Sequence, residues 1–209
     1  MSPRRHRPLH RGGALLIAVA LLLVPATLAA QAKQPRTLVE EAVDRALTVL
    51  RDPSLQAPDK RHERFERVRA AVASLFDWRE MARRSLGVHW RSIDDAQRAR
   101  FVELFEQLLA DRYMEELNRF RGNERVLVHD AHQEGEVYRV ETTVVTHSRE
   151  RVPIHYFLHK SGDSYRIHDF SIEGVSLVNH YRKSFSRFLV NRSFDELLRK
   201  LESKAGKGR

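Results

Sequence analysis

Three histidines are the first residues whose spacing suggests chemistry. In an extended strand His155 and His159 point the same way, and a hairpin about Ser161–Ser164 brings His168 diagonally near both. Three imidazoles on one sheet face form a ligand set for zinc or copper. Arg166 shares that parity, so the strip reads better as polar side chains facing solvent. Asp169 and Glu173 have the parity of Ile167, which directs one or both toward an apolar face. A carboxylate in such a place has a raised pKa and can act as a general base. The competing and favoured role is structural, with Asp169 tied to Tyr156 or to backbone amides at a strand–helix junction. Ser85, Ser171, Ser176 and Ser184 have no Gly-x-Ser-x-Gly elbow around them, and neither a P-loop nor a dinucleotide fingerprint occurs. The absence of cysteine excludes disulfides, a thiol nucleophile, iron–sulfur clusters and Cys-type zinc sites.

Helices precede and follow the strands that carry these groups. Leu38, Val39, Ala42, Val43, Ala46, Leu47 and Leu50 recur at helical spacing up to Asp52-Pro53. Phe65, Val68, Val72, Leu75 and Phe76 form a second stripe after Pro58-Asp59, and Asp77 to Leu86 forms a short helix stopped at Gly87. A long helix follows to Phe120, with Ser92-Ile93-Asp94-Asp95 as its capping box. Its apolar face is wide, with Phe101, Leu104 and Leu108 beside Val102, Phe105, Leu109, Tyr113, Leu117 and Phe120. Such a face closes one side of a large core or lines a cavity. Four strands, Val126–His132, Val137–Thr146, Val152–Lys160 and Tyr165–Glu173, are joined by turns short enough for an antiparallel meander. Alternation puts Tyr138, Val140, Thr142 and Val144 on one face and Ile154, Tyr156 and Leu158 on one face, with Ile167 opposite Leu158. Helices over Val175–Leu189 and from the capping box Ser193-Phe194-Asp195-Glu196 through Leu201 close the chain. The expected fold is α+β, with helices packed around a strongly twisted four-stranded antiparallel sheet.

The chain has 209 residues, 42% of them hydrophobic, enough for one domain with a real core. Its first segment reads as an address. Arg4, Arg5, Arg7 and Arg11 precede an unbroken apolar run of 11 residues, Ala14 to Val24, and an A-x-A pattern at Ala30-Gln31-Ala32. These are the parts of a secretory signal. Eleven helical residues at about 1.5 Å each cannot cross roughly 30 Å of hydrocarbon. Residues 1–32 are therefore expected to be a cleaved signal peptide, 33–203 the functional domain and 204–209 a disordered basic tail. Cleavage removes four arginines and no acid, lowering the net charge from +9 to +5. An exported protein meets no genome, so the basic balance points to anionic membranes or acidic partners rather than nucleic acid.

Two segments resemble the MlaC family of periplasmic phospholipid-binding (toluene-tolerance) proteins. The first runs from Asp77 through Trp78, Met81, Arg83, Arg84, Leu86, Gly87, His89 and Trp90 to Gln97, Phe101, Phe105, Leu109 and Tyr113. The second runs from Tyr165 through Asp169, Glu173, Gly174, Val175, Ser176 and Leu177 to Tyr181, Arg182 and Phe185. Tyr165, His168 and His180 stand where the family usually or often has Trp, Tyr and Asn.

The resemblance implies a non-catalytic carrier without a cofactor or metal, enclosing acyl chains in an apolar cavity between sheet and helices. The implied lining is Trp78, Met81, Leu86, Phe105, Leu109, Val175 and Leu177 from the motifs. Val140, Val144, Ile154, Tyr156 and Leu158 join them on strand parity alone. Arg83 or Arg84 would meet the phosphate, since a guanidinium offers paired donors. The implied partners are a phospholipid, an inner-membrane ABC transporter complex with its substrate-binding membrane subunit and an outer-membrane lipoprotein complex, served by a monomer in the periplasm. A hopanoid carrier, a curved-sheet enzyme using Asp169 and a lipid-free adaptor are the alternatives. Each buried methylene is worth about 0.8 kcal/mol, so two chains with about 30 methylenes expose some 25 kcal/mol gross to water. An aqueous shuttle must enclose them.

Overall fold

The computed structural model describes residues 34–120 and 122–205. The expected signal peptide and residues 206–209 of the tail lie outside the described residues.

Helix α1, Pro35–Leu50, starts with proline at its first position, where the missing N–H is not needed. It buries Val39 and Ala42 and stops before Asp52, whose carboxylate accepts from the Ser54 amide at 2.9 Å. Helix α2, Arg61–Val72, buries Phe65 and Val68 and runs into a 3-10 turn, Ala73–Leu75. Helix α3, Trp78–Leu86, is capped by Asp77, which accepts the Glu80 amide at 2.9 Å. It ends at Gly87, whose φ of +58° and ψ of −122° suit only glycine. Helix α4, Asp95–Asn118, is capped by Asp94 and Gln97, not by Ser92. The Asp94 carboxylate accepts from the Gln97 amide at 2.8 Å, while the Ser92 hydroxyl donates to the His89 carbonyl.

Strands β1 (Arg125–Glu134), β2 (Val137–Val145), β3 (Arg151–Ser161) and β4 (Ser164–Ile172) form the expected meander, with Leu158 opposite Ile167. The sheet has five strands rather than four. Glu173 and Gly174 turn the chain at positive φ, and β5, Val175–Ser176, pairs back on β4. Val175 is therefore a strand residue, and helix α5 covers Leu177–Leu189.

Two bulges break the alternation. On β1, His129 and Asp130 together face one residue of β2. On β4, Phe157 pairs with Asp169 and Leu158 with Ile167, leaving His168 as the extra residue. The second bulge reverses every facing after it. Phe170 and Ile172 join Ile167 on the face that carries their cross-strand partners Tyr156, Ile154 and Leu158, and Asp169 takes the other side. The expectation that Asp169 shares the apolar face of Ile167 fails for this reason.

Helix α6, Phe194–Ala205, opens with the expected Ser193/Glu196 box. It carries Lys204 as helix rather than tail. Among the described residues no helix is long and apolar enough to cross a membrane.

The apolar side chains gather in two cores. One joins α3, α4, α5 and α6 around Met81, Leu86, Phe101, Phe105, Leu109, Leu177 and Phe185. The other joins α1 and the sheet around Val39, Ala42, Leu75, Val140, Leu158 and Ile167. Phe76 packs against both.

Candidate functional site

The boundary between the two cores is a row of aromatic rings. Phe76 stacks on Trp78 at 4.9 Å between centroids and meets Phe170 edge-on at 6.3 Å. Phe170 lies 5.9 Å from Tyr113 of α4 and 6.3 Å from Tyr156 of β3. These rings are placed by Phe76 at the end of the 3-10 turn, by the start of α3, by α4, by β3 and by the post-bulge half of β4. A parallel bridge from Phe76 to Ile167 fixes the turn to β4, with the Asp77 amide donating to the Ile167 carbonyl at 2.8 Å.

All five rings are only partly buried. A side chain facing a void wide enough for an acyl chain stays accessible to a water-sized sphere, however deep it lies. Met81, Phe105, Val140 and Leu158 have 0% of their surface accessible and are packed on every side, and Leu86 and Leu109 are nearly as tight. Trp78, Tyr156, Val144 and Ile154 keep accessible surface, and Leu177 is buried. Tyr156 combines depth with access: burial pushes its hydroxyl up to about 12, yet part of the residue remains reachable. The Trp78 indole N–H is buried without a hydrogen-bond partner. Val175 lies at the surface, away from both cores.

Of the expected lining, then, Trp78, Met81, Leu86, Phe105, Leu109 and Leu177 are brought together in the helical core, with Val140, Tyr156 and Leu158 in the sheet core. Phe76 and Phe170, which join the two groups, were not among the expected site residues. The signal for Phe170 was present: apolar positions Tyr165 and Ile167 fall on odd numbers, Phe170 and Ile172 on even ones, so the beat skips at His168. Two hollows, of about 80 and 440 Å³, lie on the helical side, lined from α4, α5 and α6; no sheet residue lines either, so neither is the expected cavity.

Arg83 and Arg84 share one carboxylate. Arg83 makes two bonds of 2.6 Å to Glu80, and the Arg84 Nε donates to it at 2.7 Å. The hydrogen bond from Arg83 leads the effects that hold the Glu80 carboxyl down to about 2, against some desolvation.

The histidines divide. His159 Nε2 lies 3.1 Å from the Asp77 carboxylate, and its ring stacks on His168 at 5.3 Å. His168 is buried rather than solvent-facing. Desolvation, aided by the positive charge of Arg84, pushes it down to about 4. Among the described residues no group of three His, Asp or Glu side chains is set to hold a metal ion.

Asp169 is committed to the chain itself. Its carboxylate accepts from the Ser176 hydroxyl at 2.5 Å and from the Val178 amide at 3.0 Å, and the Ser176 oxygen in turn accepts the Asn179 amide. It anchors the first turn of α5, the structural role at the strand–helix junction that the sequence favoured.

The fold is similar to that of a phospholipid-binding protein from Ralstonia solanacearum solved in complex with a phospholipid, with a TM-score of 0.76 at 22% identity, over 84% of this chain and 99% of that one. No curated protein matches the sequence. The family model described as MlaC protein matches residues 40–203, both motif segments included, and the chain belongs to the MlaC family.

Proposed function

We propose that this protein is a periplasmic phospholipid carrier, without catalytic activity, that moves lipid between outer- and inner-membrane components of an ABC-type lipid transport system. The observation that carries this reading is the aromatic seam. A row of partly accessible rings lies between two packed cores that are joined by Phe76, and the side chains behind the rings are already sealed, so chains admitted there would displace ring contacts rather than core ones. Acyl chains entering there would replace ring–ring contacts by ring–methylene contacts of similar energy, which are non-directional and tolerate variation in chain length. Membership of the MlaC family and the lipid-bound structural relative support the same reading.

The lining is proposed to be Trp78, Tyr156, Val144 and Ile154 with Phe76, Phe170 and Tyr113. Met81, Leu86, Phe105, Leu109, Val140, Leu158 and Leu177 form the walls behind them. Val175 is left out because of its exposure. Arg84 is the better headgroup candidate. Arg83 makes two bonds to Glu80 and Arg84 one, so Arg84 has more donors to offer a phosphate. Unloading requires the seam to be opened by a membrane partner, because the exposed acyl surface makes spontaneous release slow. The partners proposed are the inner-membrane transporter complex with its substrate-binding subunit and the outer-membrane lipoprotein complex.

Organic extraction of the mature protein purified from a periplasmic fraction, followed by lipid mass spectrometry, tests this. About one phospholipid per protein is expected. Lipid-free protein would overturn the reading, and a hopanoid in its place would replace the cargo.

A further inference from the structure

The outward face of α5 differs from those of the other described α-helices, each of which carries acidic residues. The helix contains no acidic residue, and Asn179, Arg182, Lys183, Ser186 and Arg187 recur along one stripe of it at helical spacing. On other helices several arginines are matched to carboxylates one turn away, as in Arg67–Glu63, Arg69–Glu66 and Arg83–Glu80. Among the described residues no carboxylate pairs with Arg182, Lys183 or Arg187.

The most exposed large apolar side chains surround this same face. Val175 is 62% exposed just before α5, Val190 is 76% exposed just after it, and Val88 is 75% exposed beside it. Gly87 places Val88 there, because the Arg182 guanidinium lies across that glycine, 3.0 Å from where a Cβ would stand.

We propose that this face seats the protein on an anionic phospholipid bilayer, with Arg182, Lys183 and Arg187 among the headgroups and the three valines dipping between them. Charge complementarity selects an acidic surface. The arrangement of the valines selects a lipid one. Val175 precedes α5 and Val190 follows it, with 13 helical residues, about 20 Å of helix, between them, and the valines are separated by cations instead of forming the contiguous apolar centre of a protein interface. A fluid headgroup layer accepts isolated apolar tips one by one, and cations supply the rest of the attraction. Glu173 in the turn before β5 is the acid nearest in sequence and lies at one end of the stripe. This surface is distinct from the aromatic seam and does not depend on the carrier reading.

Sedimentation with vesicles tests it, comparing phosphatidylglycerol mixed with phosphatidylethanolamine against phosphatidylcholine alone. The mature protein should pellet with the anionic vesicles only, and added salt should release it. The double reversal Lys183→Glu/Arg187→Glu should weaken binding about tenfold or more. Val88→Asp/Val190→Asp should weaken it even at low salt. Failure of the unaltered protein to pellet with anionic vesicles overturns the proposal, as does equal binding by the charge-reversed protein or capture of an acidic protein in place of vesicles. Thermal unfolding and extracted lipid are measured on the same variants. Unchanged values with lost vesicle binding confine the defect to this face, whereas lost lipid would concern the seam.

Discussion

The carboxylate of Asp169 accepts the Val178 amide at 3.0 Å, across the turn that carries the chain from the sheet into α5. A charged acceptor on a strand thus satisfies a donor that the first turn of a helix leaves open. Asp169→Ala should lower stability by about 1–2 kcal/mol, the usual cost of losing a cap with some charge assistance. Urea unfolding measures that loss. Phospholipid content of the folded fraction should stay unchanged, and an equal loss of lipid would mean that Asp169 serves the seam.

This role shows what a sequence yields and where it stops. Ile167 opposite Leu158 was legible because a short turn and strict alternation leave one register. Past His168 that rule inverts, since one unpaired residue turns all later side chains over, and the facings of Asp169 and Phe170 came out wrong or unassigned. The same skipped beat occurs on β1 between Val128 and Ala131. The motif residues Trp78 and Met81 could be placed on a helix, but not their division between accessible ring and sealed core. That division depends on which neighbours pack behind each one, and periodicity carries no such information.

His168 makes stability depend on pH. Its neutral form is favoured in the folded protein, where the pKa is about 4 against 6.5 in the open chain. Above pH 6.5 both states are neutral. Between 6.5 and about 4 the unfolded chain takes up a proton that the folded one refuses, so stability falls as the pH drops through this window. The loss should be about 2 kcal/mol after allowance for partial solvation. Asp77, Glu80, Arg84 and His159 face the ring, and in His168→Tyr they remain while the titration goes. Urea midpoints for the two proteins should therefore diverge between neutral pH and pH 4, and parallel curves would refute the assignment.

Glu80 works in a lower window. Its folded pKa of about 2 lies beneath the ordinary 4.5, so its contribution is complete above 4.5 and disappears as the pH falls toward 2. Arg83 and Arg84 have side chains 51% and 40% exposed, so solvent screens the pairs. Glu80→Gln should cost only about 1 kcal/mol at neutral pH. The gap from the unaltered protein should close by about pH 2 and narrow in high salt; a gap that persists in acid would assign the cost to packing.

Gly87 has a backbone that an L-residue rarely adopts, with Arg182 lying across it. Gly87→Ala should therefore lose about 1–3 kcal/mol. Two causes compete, backbone strain and crowding by the guanidinium. The Arg182 side chain is long and can move, so backbone strain should dominate. A double-mutant cycle with Arg182→Ala separates them: most of the loss should persist in the Arg182→Ala background, and full recovery would show that crowding was the cause.

The two tryptophans report on different places, and this provides a direct probe of the seam. Trp90 is buried in the helical core, with the Arg79 and Arg98 guanidinium groups each 5.7 Å from its ring centre. Trp78 stacks on Phe76 in the aromatic row, with its indole N–H unpartnered. If acyl chains enter between the two cores, delipidated protein given phosphatidylglycerol should change its emission through Trp78 alone. Trp90→Phe should then retain the full response and Trp78→Phe should abolish it, while both proteins unfold at similar temperatures. A response that survives in Trp78→Phe and vanishes in Trp90→Phe would move the lipid to the far side of the helical layer, toward the hollow lined by Leu108, Tyr181 and Lys204.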